Sequence, residues 1–393
     1  MSQFVVAAIG NLNMLLTARI LGPEGFGQLS LIILYSFFMF GIVQVSACRG
    51  IAVLSGQNKI RNSLALLPTL SLVSFAMLLP VSYLVITFSI DDPGLIDLSV
   101  LLFLSVVPCL LFTAFAESLW QGRGDFNRYN ILLITEQAAY LFLLGLLWLS
   151  GHLNLAAVIV ITVLTAVISA GVVFAMLIRE WSGFDLKSTT DEILSVMKKG
   201  YVFMPLVIAG MLAYQGDNIL LSKTMDARYL GFWGAYIHYV TSCIFIVGGI
   251  CAGVFHLSIV GRDEDFLVIV KKTAVRYALV VALLVAAGQY AIDLLYGEEY
   301  MQEIGALWMV GVGYYFFAIG QVLGEYLQGK VIVRAGIIGD IASVAVLFGL
   351  FLLVFDFLGF AGFCLSFMLS EMVRLIIYGG YVARLNRRTV RAV

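Results

Sequence analysis

Eight ionisable side chains stand inside long apolar stretches of this 393-residue chain: Arg49, Glu117, Glu136, Asp217, Glu325, Asp340, Glu371 and Arg374. A charge at the centre of a membrane helix costs about 2.5–3.5 kcal/mol on insertion scales, so such residues usually face a bundle interior or a water-filled cavity. An isolated intramembrane carboxylate can take up a proton or bind Na⁺, which is the chemistry of ion coupling. Glu136, Asp217 and Asp340 are the candidates for it, with Asp217 flanked by Gln215 and Asn218. The alternative for each is a hydrogen bond to a neighbouring helix. Glu371 and Arg374 sit three apart on one helix face and read as a self-neutralising structural pair. Arg49, about one turn from the end of its stretch, offers a bidentate fork suited to a phosphate group; snorkelling to the surface is the competing reading. Glu117 and Glu325 each precede a Gln-Gly-basic corner by one turn and read as anchors of those corners.

Apolar stretches at roughly 1–18, 28–54, 63–90, 98–119, 130–150, 153–178, 201–221, 229–257, 274–296, 302–324, 335–357 and 359–383 must position these groups. Crossing the hydrocarbon takes about 20 apolar residues in a helix, and β-barrel strands would be shorter and would alternate apolar with polar. The fold class expected is therefore all-α and polytopic, with about twelve membrane helices. Composition agrees: 62% hydrophobic and 12% charged residues, with mean hydropathy +1.02, against about 25% charged in soluble domains.

The basic residues fix orientation. With the N-terminus in the cytoplasm, eighteen of the 23 Lys and Arg fall in cytoplasmic gaps or the tail, three on the outer side (Arg19, Lys223 and Arg228) and two inside spans. Basic residues retained inside set topology, so both termini read as cytoplasmic. The outer gaps are acidic, as in Asp91-Asp92-Pro93 and Glu298-Glu299-Tyr300, and the net charge of −1 hides this asymmetry. Nothing in it points to nucleic acid.

The halves resemble each other. A shift of 207 positions lays Gln121-Gly122-Arg123 on Gln328-Gly329-Lys330 and Phe26-Gly27 on Trp233-Gly234, and sets His256 opposite Arg49. The expected organisation is a six-helix bundle over 1–178, a cytoplasmic linker over 179–200, a second bundle over 201–383 and a basic tail over 384–393. Six spans per half point both bundles the same way, about an axis along the membrane normal. The same shift sets the counterpart of span seven about seven residues ahead of Met1, so the first helix is expected to be truncated or shortened. Residues 185–199 and 262–276 mix apolar and charged positions and read as short amphipathic helices on the inner surface, with a solvated connector as the alternative for each.

No Gly-rich phosphate loop, metal-ligand spacing or sizeable outer loop supports catalysis, so neither an enzyme nor a cofactor is expected. Cys48, Cys109, Cys243, Cys251 and Cys364 all lie within spans and read as buried thiols. Pro68, Pro80, Pro108, Pro205 and Gly248-Gly249 introduce helix breaks that alternating access or simple packing would use.

Ala18-Arg19-Ile20-Leu21-Gly22-Pro23-Glu24-Gly25-Phe26-Gly27 resembles the signature of bacterial polysaccharide exporters and O-antigen flippases, in the multidrug/oligosaccharidyl-lipid/polysaccharide exporter superfamily. Ala47-Cys48-Arg49-Gly50-Ile51-Ala52 and Asp217-Asn218-Ile219-Leu220-Leu221 resemble it more loosely. The resemblance implies a flippase that carries an undecaprenyl-pyrophosphate-linked oligosaccharide to the outer leaflet of the bacterial inner membrane. Arg49, with His256 opposite, is then the candidate for pyrophosphate contact from the cytoplasmic side, and Arg19 for steadying sugar or phosphate outside. Glu136, Asp217 and Asp340 become candidates for H⁺ or Na⁺ coupling or for sugar hydrogen bonds. The partners implied are the lipid-linked substrate, membrane lipids and other polysaccharide-assembly membrane proteins. A cation-coupled multidrug exporter, a peptidoglycan lipid-precursor flippase and a membrane-embedded glycan polymerase are the alternatives.

Overall fold

Hydrocarbon offers the backbone no hydrogen-bond partner, so apolar segments of this length satisfy their own N–H and C=O groups by coiling. The structure is a computed structural model. It describes all residues except 1, 61–62, 91, 152–153, 181–185, 202–203, most of 243–262, 331 and 392–393, and except some further side chains inside helices.

The described elements are α1 (Ser2–Gly56), α2 (Ser63–Ser89), α3 (Pro93–Arg123), α4 (Phe126–Leu149), α5 (Leu155–Leu177), α6 (Leu186–Tyr201), α7 (Met204–Thr224), α8 (Ala227–Thr241), α9 (Asp263–Leu295), α10 (Leu307–Gly329) and α11 (Val333–Arg391). Two of these are double. α1 divides at Gly22 (φ 66, ψ 175) and α11 at Gly359 (φ 52, ψ −126), backbone conformations that a Cβ would strain. These glycines separate span one from two and span eleven from twelve. Among the described residues, eight helical stretches are long and apolar enough to cross a membrane. Two of those are the divided pairs. α7 and α8 are not among these stretches as described. The architecture is all-α and polytopic, with about twelve membrane-crossing helices.

Short polar residues at the ends explain where helices start and stop. Asp92 caps α3 by accepting from Gly94 N at 2.7 Å, with Pro93 in the first turn. Gly124 closes α3 in the left-handed region. Asp125 then caps α4, accepting from Arg128 N at 3.3 Å and pairing with Arg128 Nε at 3.2 Å. Asn154 caps α5 through Ala157 N at 2.9 Å. Cys48, Cys109, Cys251 and Cys364 form no disulfide; Cys243 lies outside the described residues.

The two amphipathic linkers differ. Residues 186–201 form a helix of their own, α6, whose Gly200 lies so close to α1 that a Cβ there would press on the Ser46 carbonyl oxygen. The second corrects the expectation of a separate surface helix. α9 runs without a break from Asp263 into span nine, because no Pro or Gly intervenes before Gly288. Phe266 anchors that extension by stacking on Tyr326 of α10, ring centroids 3.8 Å apart and 8° from parallel.

Two compact units result: Met1–Leu21 with Gln28–Met211, and Gly22–Gly27 with Leu212–Val393. The turn Gly22–Gly27 groups with the second because it packs on α8. A Cβ on Gly27 would overlap the Ala227 carbonyl oxygen, and one on Gly231 would overlap that of Pro23. Two backbones approach this closely only where a glycine stands on one side of each contact. Phe26 lies 6.3 Å from the His238 ring.

Candidate functional site

Four of the intramembrane groups come together in the second unit. Glu371 and Arg374 lie one turn apart on the second half of α11, and Arg374 Nη1 donates to Glu371 Oε2 at 2.8 Å. The pair is not closed on itself. Asp340, from the first half of α11, faces the same guanidinium with Oδ1 3.2 Å from Nε, although Nε is not aligned for a hydrogen bond. Tyr378, a turn beyond Arg374, donates its hydroxyl to Asp340 Oδ1 at 3.0 Å, and Ser343 bonds Glu371. The Phe317 ring of α10 lies 5.8 Å from the guanidinium carbon, a distance at which the ring face attracts the cation.

Asp217 enters from α7, within electrostatic reach of Arg374 and Glu371. One of its oxygens accepts from Asn218 N at 2.7 Å and the other from the Trp233 indole N–H at 3.1 Å. Asn218 in turn donates to Gln215 Oε1 at 3.1 Å. Trp233 is held edge-on between Phe363 and Phe367, with centroids at 4.8 and 4.9 Å. Asp217, Glu371 and Arg374 are 5%, 3% and 6% exposed, so water does not screen their interaction. Two carboxyl groups thus face one guanidinium, with a third within electrostatic reach. A buried excess of carboxylate is costly unless a further positive charge joins it, and an arrangement of this kind can take up and release a monovalent cation.

Glu136 does not join this cluster. It lies on α4 in the first unit, within electrostatic reach of Glu117 on α3. Beside it runs a polar seam between α1 and α4. Asn13 Nδ2 donates to the Gln137 carbonyl at 3.0 Å and to Gln137 Oε1 at 3.2 Å, and the Thr17 and Tyr140 hydroxyls meet at 3.3 Å. Arg19 is exposed, three residues before the Gly22 turn. The side chain of Arg49, and His256 altogether, lie outside the described residues.

Trp233, Tyr378 and the Asn13–Gln137 seam were missed by sequence reasoning. An indole N–H within a span needs an acceptor, and that requirement alone would have paired Trp233 with a nearby carboxylate. Asn13 and Thr17 stand four apart on one face of span one, a polar stripe that itself calls for a partner helix.

No curated protein matches the chain. Its solved neighbours include an inward-facing multidrug resistance MATE family transporter of the MOP superfamily, with TM-score 0.74 and 13% identity over 98% of this chain and 96% of that one. The outward-facing conformation of such a transporter gives TM-score 0.71 and 14% identity over 100% and 95%. A MOP superfamily transporter from Pyrococcus furiosus gives 0.70 and 14% over 98% and 94%. At these identities the likeness is one of fold. Residues 1–255 match the model of a family described as polysaccharide biosynthesis protein. The resemblance first read in residues 18–27 is thereby borne out: on the MOP transporter fold, the chain belongs to the polysaccharide biosynthesis protein family.

Proposed function

We propose that this multi-pass membrane protein is a flippase. It carries an undecaprenyl-pyrophosphate-linked oligosaccharide from the cytoplasmic to the outer leaflet of a bacterial inner membrane, by alternating access of two duplicated bundles, for O-antigen or related surface polysaccharide. The match of residues 1–255 to the polysaccharide biosynthesis family carries this reading. The bias of Lys and Arg supports cytoplasmic termini. Arg49 and His256 contact the pyrophosphate as it enters, and Arg19 steadies the headgroup outside.

Coupling runs through the second unit. The surplus of carboxyl groups around Arg374 takes up a cation on one side and releases it on the other, with Asp217, Asp340 and Glu371 as the sites. The coupling ion is H⁺ or Na⁺, either of which a buried carboxylate can take up. Glu136 supplies a hydrogen-bonding or protonatable group in the first unit.

Deletion of the gene tests translocation, read as the membrane face on which the lipid-linked glycan accumulates. Retention on the cytoplasmic leaflet supports a flippase. Loss of glycan synthesis would turn the reading towards an enzyme, and drug sensitivity without a glycan phenotype towards a multidrug exporter. At equal membrane abundance, Arg49→Ala is expected to block glycan export.

A further inference from the structure

A cavity of about 370 Å³ opens beside the basic start of α9. Its walls are apolar, with Val247 and Ile250 on one side and Ile269, Tyr277 and Val280 of α9 on the other, and two cations, Lys272 and Arg276, stand on it. Lys272 and Arg276 are four residues apart and so project from one helix face, and both are exposed. The floor is firm. Val247 and Tyr277 belong to a buried cluster with Phe266, Val322 and Tyr326, and the Phe266–Tyr326 stack fixes the beginning of α9. A preformed apolar slot carrying two adjacent positive charges matches an amphiphile with an anionic head and a hydrocarbon tail. Cavities of a few hundred Å³ are the size that holds small ligands, and basic pockets between membrane helices bind anionic lipid headgroups.

We propose that this groove is a binding site for an anionic phospholipid, its phosphate between Lys272 and Arg276 and the start of its acyl chain along Val247, Ile250 and Tyr277. Charge complementarity selects this occupant, since a zwitterionic lipid gains little from two cations. The orientation proposed above determines only the leaflet, which is the cytoplasmic one. Binding requires no translocation, so a failure of the flippase reading leaves this site testable on its own.

The experiment titrates the purified full-length protein in detergent with phosphatidylglycerol or phosphatidylcholine and counts retained lipid by native mass spectrometry. Phosphatidylglycerol is expected to be retained preferentially. The Lys272→Gln/Arg276→Gln double variant is expected to hold it roughly thirtyfold more weakly, the effect of two surface basic groups. Ile250→Trp, which fills the slot and keeps both charges, is expected to lose retention as well, whereas Lys271→Gln keeps it. Equal retention of the two lipids would overturn the site, as would undiminished phosphatidylglycerol retention by the double variant or by a folded Ile250→Trp. Displacement of phosphatidylglycerol by an equimolar polyprenyl diphosphate would overturn the assigned occupant.

Discussion

Trp233 donates its indole N–H to Asp217 at 3.1 Å, joining α8 to α7 where both are buried. Removing the donor while keeping the ring isolates what that bond does. Trp233→Phe leaves one Asp217 oxygen short of a partner and is expected to cost about 1–3 kcal/mol, read as a lower melting temperature of the detergent-purified protein. Because Asp217 is a proposed coupling group, the same variant is expected to change how glycan export responds to collapse of the proton gradient. An unchanged response would separate Trp233 from coupling.

Arg374 is the only cation among the four groups of the cluster. Arg374→Gln strips the positive charge from Glu371 at 2.8 Å and Asp340 at 3.2 Å. Breaking one side of a buried ion pair costs about 3–5 kcal/mol, so low abundance and loss of export are expected together. Adding Glu371→Gln to Arg374→Gln is expected to restore abundance in part, by removing one uncompensated carboxylate, without restoring export. Quantitative immunoblotting alongside surface glycan staining separates the two effects.

Gly27 and Gly231 are predicted to tolerate no side chain. Gly231→Val sets carbon atoms onto the Pro23 carbonyl, and overpacking of this kind costs about 1–3 kcal/mol or more. Gly145, with nothing within 4 Å of its would-be Cβ, supplies the contrast: Gly145→Ala is expected to be neutral or to stabilise by about 1 kcal/mol through helix propensity. Thermal unfolding of the three proteins side by side checks this.

The Asn13–Gln137 pair lends itself to a double-mutant cycle. Hydrogen bonds between membrane helices average about 0.6 kcal/mol and reach about 1.7, and a coupling in that range is expected between Asn13→Leu and Gln137→Leu in unfolding measurements. Zero coupling would make the 3.2 Å side-chain contact incidental.

Much of the fold is written in features that a one-dimensional pattern carries. Runs of apolar residues gave the spans, and Gly22 and Gly359 divided paired spans at the expected places, since a left-handed turn leaves a glycine behind. The α9 extension is less legible, because the charged run at 262–276 suggests a boundary where no helix-breaking residue stands. Within the cluster, Glu371 and Arg374 were legible at spacing three. The approach of Asp340 to the same guanidinium was not, because it depends on how α11 folds back at Gly359, and no local spacing encodes that. Trp233 was noted as a landmark of the repeat, yet its partner Asp217 lies 16 residues away on another helix. Glu136 and Asp340 stand in different surroundings, one within electrostatic reach of Glu117 and the other against an arginine.

The turn at Gly22–Gly27 has a temporal side. It is made among the first thirty residues, yet the surface it rests on, Ala227–Gly231, emerges about 200 residues afterwards. At translation rates of about 5–20 residues per second that is a wait of roughly 10–40 s. The hairpin at this turn is therefore inserted without its seat, and the helix that receives it arrives only after several further spans have been made.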